Sequence, residues 1–518
     1  MKRTIRLALR VGLALLILVA AAGRGHPATP AFAASPAGLH VSGTRLVDTG
    51  GAAVLLHGVD ISGSEFSCAQ GGTVGNEGWG IFGGQPEDSV ATINAIKGWH
   101  ANAVRVPLNE DCWLGINGIN PIYGGAAYRS AIVKLVGDLS GAGLYVVVDL
   151  HWNAPGSAVA LSQQPMADED HGPAFWSSVA TTFAANTAVV FDLYNEPFIY
   201  GSYLQNPAQD TWSCWLNGCG FNQYLTGKGG SACGAAGYSG QGGFTDCYKW
   251  QAAGMQQLVD VVRSTGASNV VVVNGLNWAN DDSGWLAHRP TDPTGNLAAG
   301  WHEYEGEQCA AVACWSQTIS PILQSLPLIV GETGDHTGSG CSLVNMPAFL
   351  PWADSNGISY LAWTFNPWQY THDVLITDWN GTPSSCEGQY YSAHLAALVT
   401  NPPAVKSPAQ QTVTRQTPSA TSPSSIAPSK ATPSHSSSLG QTNLVAAHNG
   451  GGSQIIYVAI FLLGAISFAM GLAIAMNVGA TSTPEQISSP FGKTSLVGYG
   501  VAACGALCCA CALLLIHW

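Results

Sequence analysis

Charge is scarce in this chain. Charged residues make up 9% of its 518 positions, where an ordinary soluble domain carries about 25%. Basic residues are the scarcer kind, with 18 Lys and Arg against 31 Asp and Glu and a formal net charge of -13. No basic patch is present to neutralise phosphates, which excludes a nucleic-acid partner. The hydrophobic share of 47% and the 17 Trp exclude wholesale disorder. Several catalytic signatures are missing too. His302-Glu303 is followed by Gly306 where a zinc-binding H-E-x-x-H would need His. Gly237-Tyr238-Ser239-Gly240 ends in Gln241, so it is not a G-x-S-x-G elbow. No phosphate-binding loop or dinucleotide fingerprint follows a strand pattern. The cysteines between residues 39 and 400 lack C-x-x-C spacing, and Asp168-Glu169-Asp170 lacks the EF-hand spacing of a calcium loop. No metal or cofactor is expected.

The two ends of the chain are apolar. Lys2, Arg3, Arg6 and Arg10 precede a hydrophobic run over 11–22, and Ala31-Phe32-Ala33 offers a cleavage pattern, so 1–34 reads as an export signal. Segments 455–476 and 496–516 hold no charged residue, and each is long enough to cross a bilayer. Between the body of the chain and these segments, 401–454 is dense in Ser, Thr and Pro and reads as an extended linker. The expected organisation is an exported domain over 35–400, held by a tether to a membrane hairpin on the outer face of the cell.

That domain holds nine Lys and Arg against thirty Asp and Glu, and ten of the 14 Cys. An oxidising compartment favours disulfides. Close neighbours point to Cys214–Cys219, Cys233–Cys247 and Cys309–Cys314, leaving Cys341–Cys386 and Cys68–Cys112. Short apolar runs predict eight strands, at 54–59, 103–107, 144–150, 189–195, 269–274, 297–302, 328–331 and 358–365. Their near-continuous Val, Ile and Leu fit strands buried on both faces. Helical periodicity falls between most of them, over 89–99, 128–139 and 248–263. Eight β/α units predict an α/β fold, a (β/α)8 TIM barrel, with a small hairpin over 39–54 closing one end. A Gly- and Cys-rich insertion follows the fourth strand.

Several strands end in a polar side chain: Arg105, then His151, then Asn195-Glu196, then His302 and Tyr304, then Glu332, and Trp363 on the eighth. In a barrel these ends converge on one face. A pair of carboxylates there, Glu196 and Glu332, is what glycoside hydrolysis needs: one protonates the leaving oxygen while the other attacks or activates water. Trp152, Trp278, Trp363 and Trp368 offer flat faces suited to sugar rings. Trp113, Trp212, Trp215 and Trp315 have no such placement. Glu303, Glu305 and Glu307 read as a solvated loop face, not as catalytic groups.

The ordered set Arg105, His151, Asn195-Glu196, His302-x-Tyr304, Glu332 and Trp363 resembles glycoside hydrolase family 5 of clan A, over about 39–400. The resemblance implies a retaining β-glycosidase on a TIM barrel, with Glu196 as general acid/base and Glu332 as nucleophile. It implies that Asn195 bonds the sugar 2-hydroxyl and that Arg105 and Tyr304 hold the nucleophile. His151, His302 and Trp363 would line the subsite at the scissile bond. Asp149-Leu150-His151-Trp152-Asn153 and Tyr194-Asn195-Glu196-Pro197 lean toward the cellulase-like members. The expected substrate is a polysaccharide or oligosaccharide, first β-1,4-glucan. Mannan, xyloglucan, β-1,3-glucan or a glycolipid headgroup are the alternatives, as is a non-catalytic carbohydrate-binding wall protein.

Overall fold

All eight expected strands form, and they close on one another. The computed structural model describes residues 35–70, 80–83, 88–224, 231–232, 247–335, 343–368 and 374–402. The export segment 1–34, the linker beyond 402 and both C-terminal apolar segments lie outside them. Among the described residues no helix is long and apolar enough to cross a membrane.

The barrel strands are β1 (His57–Asp60), β2 (Ala103–Asn109), β3 (Tyr145–Trp152), β4 (Val189–Asp192), β5 (Val271–Asn274), β6 (Leu297–Tyr304), β7 (Leu328–Gly334) and β8 (Ser359–Ala362). Each pairs in parallel with the next, and β8 pairs with β1 to close the ring. Helices pack outside, including α1 (Val90–Gly98), α2 (Ala126–Gly141), α3 (Gly172–Phe183), α4 (Met255–Ser264), α5 (Asn345–Asn356) and α6 (Glu387–Thr400). Ser89 caps α1 by accepting from the Thr92 amide at 3.0 Å, and Ile93 and Ile96 turn one face of that helix to the barrel. Between β5 and β6 stands only a short helical turn, Leu276–Ala279, and a 3-10 turn, Leu286–His288. That is why the sequence carries no clear fifth helical period.

One expected helix needs correction. The helix expected over 248–263 begins only at Met255. Its first part is a strand, Cys247–Ala252, paired antiparallel with Cys219–Tyr224, and Phe221 stacks on Trp250 at 4.7 Å. At Gly254 a Cβ would stand 2.4 Å from the Leu216 carbonyl oxygen, so the backbone passes too close for any side chain and the helix starts after it. Helical periodicity in the downstream half had masked the turn.

The inner face of the barrel changes character along its length. At the bottom Ala103, Tyr145, Val147, Val190, Val272, Ala298, Ile329 and Leu361 pack together beneath Leu39 and Leu46 of the expected hairpin, Leu39–Ser42 with Arg45–Asp48. Each fully buried Val, Leu or Ile there stabilises the fold by about 1.5–3 kcal/mol. Two residues further along β2, β3, β4 and β5, on the same face, stand the polar Arg105, Asp149, Asp192 and Asn274. A strand's period of two therefore delivers both the plug and the site. Disulfides Cys68–Cys112, Cys214–Cys219 and Cys309–Cys314 form as expected. Cys386 is also disulfide-bonded; Cys233 and Cys341 lie outside the described residues.

Candidate active site

Arg105 stands at the centre of the polar end, fully buried. Its Nη1 donates to Glu332 Oε1 at 2.7 Å, and its Nη2 donates to Asn195 Oδ1 at 2.7 Å and Asp192 Oδ2 at 3.2 Å. Asp149 Oδ2 lies 3.3 Å away and Asp60 Oδ1 3.8 Å. One cation cannot hold four neighbouring carboxylates ionised in a low-dielectric interior. Burial pushes Asp60 well above the usual carboxylate range despite Arg105, and burial lifts Asp192 to about 7. Glu332 moves the other way. Burial alone would raise it, but His302, Arg105, His151 and the Tyr304 hydroxyl outweigh burial and hold it at about 2. Asp60 and Asp192 are thus shifted toward their neutral forms and Glu332 toward its charged form.

The position of Glu332 depends on a fault in strand register. Ile329 and Gly331 face inward, so regular alternation would turn Glu332 out. Pairing of β6 with β7 skips from Trp301↔Val330 to His302↔Glu332. This bulge makes room for the extra residue and re-aims Glu332 inward. Gly331 is required there: a Cβ would stand 2.8 Å from His302 Nε2. Tyr304 then donates to Glu332 Oε2 at 2.9 Å.

Glu196 lies just beyond β4, and its side chain is 20% exposed where that of Glu332 is 7%. His302 Nδ1 sits 2.9 Å from Glu196 Oε1 and 3.8 Å from Glu332 Oε2. Oxygens of the two carboxylates and the His302 nitrogen all lie within 4.8 Å of one another. His151 Nδ1 meets Asp149 Oδ2 at 2.8 Å, which fixes the ring. Burial disfavours its cation, but Asp149 raises its pKa above the ordinary value. The ring stacks on half-buried Trp363 with centroids 5.7 Å apart. All eight residues singled out from the sequence therefore meet in one place.

The surrounding aromatics divide as their positions dictate. Trp368 lies edge-on to Trp363 at 6.3 Å and is exposed. Trp278 stacks on Phe198 at 3.8 Å, and its amide donates to the Pro197 carbonyl. Asn277, Trp278 and Ala279 all have positive φ, between 53° and 61°, a costly conformation that non-glycine residues hold mainly at functional sites. Trp113, Trp215 and Trp315 are core side chains, each indole N–H satisfied by Ser178 Oγ, the Asn274 carbonyl and the Cys309 carbonyl respectively.

Some supporting groups are absent from the sequence reading. Asp60 and Asp192 lie on the inward face in register with the named residues, a signal that was legible. Asn274, at the end of β5, donates to Asp192 Oδ1 and to the Tyr194 and Asn195 carbonyls. Gln163, in the loop after β3, accepts from Asn195 Nδ2 and donates to the Glu196 carbonyl at 2.6 Å. No local pattern marks it. Glu303 departs from the solvated face expected for it. It is fully buried beneath α5, bonded to Asn345, and burial raises its carboxyl to about 8. Strand alternation explains this: His302 faces into the barrel, so Glu303 faces the helical layer.

Groups able to share a cation are Glu196–His302–Glu332 and two overlapping sets, Glu110–Asp111–His171 and Asp168–Asp170–His171. In the first set Glu332 is already held by Arg105 and Tyr304.

The sequence model of the cellulase family (glycosyl hydrolase family 5) matches residues 59–369. The chain is 22% identical over 353 residues to the manganese dependent endoglucanase Eg5A of Phanerodontia chrysosporium, covering 63% of this chain and 76% of that protein. It is 26% identical over 160 residues to the endoglucanase MaCel5A of Microbulbifer sp. (strain ALW1), covering 31% of this chain and 26% of that protein. Among solved structures, the β-glucanase SdGluc5_26A of Saccharophagus degradans is similar at a TM-score of 0.48 and 17% identity, covering 72% of this chain and 98% of that one.

Proposed function

The chain belongs to the cellulase family, glycosyl hydrolase family 5, and is a glycoside hydrolase; from that premise we propose that it cleaves β-1,4-linked glucan by double displacement. Glu332 is the nucleophile. It attacks the anomeric carbon while Glu196 gives its proton to the departing glycosidic oxygen, and a glycosyl ester on Glu332 results. Glu196, now ionised, takes a proton from the incoming water, whose oxygen attacks the same carbon and releases Glu332. The observation that carries this reading is the approach of the two carboxylates to within 4.8 Å. Retaining enzymes hold their carboxyls about 5–5.5 Å apart, and inverting ones about 6.5–9.5 Å to admit a water between them.

The remaining residues divide the work. Arg105 and Tyr304 hold Glu332 ionised and aimed. Asn195, fixed by Arg105 and Gln163, presents its amide to the sugar 2-hydroxyl, a bond that strengthens as positive charge develops on the ring. His302 orients Glu196. His151, Trp363, Trp368 and Trp278 form the walls and platforms on which pyranose faces rest. Glucan is preferred because the endoglucanase relatives share the family and these polar strand ends support a cellulase-like subsite.

The enzyme acts outside the cell, exported by segment 1–34 and anchored through 455–476 and 496–516 by the 401–454 linker. The support is the apolar, charge-free character of those segments in the sequence. Fractionation checks this: the full chain should sediment with membranes, and a chain ending at Thr400 should be released in active form.

Reducing-sugar release on cellulosic, mixed-linkage, mannan, xylan and β-1,3-glucan substrates, beside Glu196→Gln and Glu332→Gln, tests the reaction. Activity on β-1,4-glucan that is lost in both variants supports the reading. Activity confined to another glycan replaces the substrate, and glycan binding without cleavage contradicts the reading.

A further inference from the structure

A second constellation of ligating groups stands apart from the reaction centre, on the same face of the barrel. Glu110 opens the short helix Glu110–Leu114 at the end of β2, and Asp168, Asp170 and His171 lie on the loop that leads into α3. Glu110 and Asp168 are fully buried. Asp168 Oδ1 is 3.2 Å from His171 Nδ1, and Glu110 Oε1 is 3.7 Å from the same nitrogen. The Ala154 carbonyl oxygen is 3.3 Å from it.

Two features set this cluster apart from a solvated acidic loop. Neither oxygen of Glu110 meets a donor in good hydrogen-bond geometry, and its polar neighbours are the Asp168 carboxyl and the Ala154 backbone. A carboxylate with no exposure and no well-aligned donor is costly unless it is protonated or holds a cation. The charge count points the same way. Glu110, Asp111, Asp168 and Asp170 gather around one imidazole, and among the described residues no Lys or Arg pairs with any of them. Asp111 is satisfied by the Ala160 amide and Asn117, Asp168 Oδ2 by Asn153, and Asp168 Oδ1 in part by the His171 amide at 2.9 Å, which leaves Glu110 with the open acceptors. The free acceptor capacity therefore converges on the space between Glu110 and His171.

We propose that Glu110, Asp168 and His171 bind a first-row divalent cation such as Mn2+ or Zn2+. Metal–ligand distances of about 2.0–2.2 Å give ligand–ligand edges of about 3–3.5 Å, close to the 3.2 and 3.7 Å separations present. One imidazole with two carboxylates suits these ions better than Mg2+ or Ca2+, which take oxygen ligands alone. Asp170 Oδ2, 3.9 Å from His171 Nε2, stands where a second carboxylate orients the far side of a ligating ring. His171 and Asp170 are partly exposed and leave an approach from solvent.

The cation would brace the loop that positions the acid/base. Asn153 joins Asp168 to Tyr194, the neighbour of Asn195. The same loop carries Gln163, which grips Asn195 and Glu196. Its end is tied to the inserted sheet through Glu169 and Ala253.

The test reads binding, with no glycan present. The full chain is stripped with chelator, then titrated with Mn2+ or Zn2+ alone, following bound metal per chain and thermal unfolding. One ion per chain and a raised Tm are expected. Both should persist in Glu332→Gln, and affinity should fall about tenfold or more in Glu110→Gln and in His171→Gln. Glu110→Gln keeps the shape and removes the unpartnered acid, so without metal its Tm should match or exceed that of the stripped parent. The His171 side chain is 19% exposed and gives a second variant at the solvent edge of the cluster. Absence of stoichiometric binding, binding unchanged in both variants, or binding lost in Glu332→Gln would overturn the proposal.

Discussion

Arg105 Nη1 and Glu332 Oε1 meet at 2.7 Å inside the barrel, in a cluster where two other carboxyls, Asp60 and Asp192, are shifted toward their neutral forms. The guanidinium fork does three jobs at once: it neutralises Glu332, orients Asn195 and ties Asp192. Lys offers one point charge and cannot reproduce that geometry. Arg105→Lys should fold with reduced stability and lose about a hundredfold or more in kcat/KM. Arg105→Met, which leaves the acids without a cation, should cost about 3–5 kcal/mol in denaturant unfolding.

The pH dependence of Glu332, the proposed nucleophile, follows from its partners. Glu332 is depressed to about 2 although burial alone would raise it. Its contribution to stability is therefore complete above pH 4.5 and is lost as pH falls toward 2. Tyr304→Phe removes one bond to the charged form, so the acid limb of kcat/KM should move upward. The rate should fall about tenfold to a hundredfold, the worth of one bond to a charged group. A pH profile of wild type and variant checks both.

Glu303 makes the opposite prediction. Burial raises its carboxyl to about 8, so the folded state keeps a proton that the unfolded chain releases near pH 4.5. Its stabilisation is fully present below pH 4.5 and is lost as pH rises to about 8. Glu303→Gln should leave Tm near its parent value at pH 4 and raise it at pH 8. Melting curves across that range decide it.

Gln163 holds the Asn195 amide and the Glu196 backbone together. Gln163→Ala should leave unfolding nearly unchanged while kcat drops by about tenfold to a hundredfold, since small misplacements of catalytic groups are costly. The separation of kcat loss from Tm loss distinguishes positioning from general support.

Gly300 faces the barrel interior, where a Cβ would stand 1.9 Å from Asn274 Oδ1. Gly300→Ala must displace Asn274, which holds the backbone of Tyr194 and Asn195. Overpacking of this kind costs about 1–3 kcal/mol. Activity should fall with stability, as read by denaturant unfolding alongside the assay.

The barrel was legible because buried parallel strands are written as apolar runs, and polar residues at their ends announce the site. Arg105, His151, Glu196, His302, Glu332 and Trp363 follow from that pattern. Register was not legible: no sequence period marks the β7 bulge that turns Glu332 inward. The supports supplied by tertiary contact were hidden for the same reason. Gln163 sits in a loop without periodicity, and Glu303 differs from His302 only by the strand face it occupies. In the insertion, the strand Cys247–Ala252 was hidden because its partner lies far earlier in the chain, Trp250 facing Phe221 29 residues before it, and the helical period begins directly after it.

The central claim is that Glu332 attacks and Glu196 gives and takes the proton across a gap too narrow for a nucleophilic water. Proton NMR of freshly cleaved cello-oligosaccharide tests it most directly, read before the new reducing ends mutarotate. The account predicts that the β anomer appears first, from wild type, with the signal abolished in Glu332→Gln. First appearance of the α anomer would mean a single inversion by water and would contradict it.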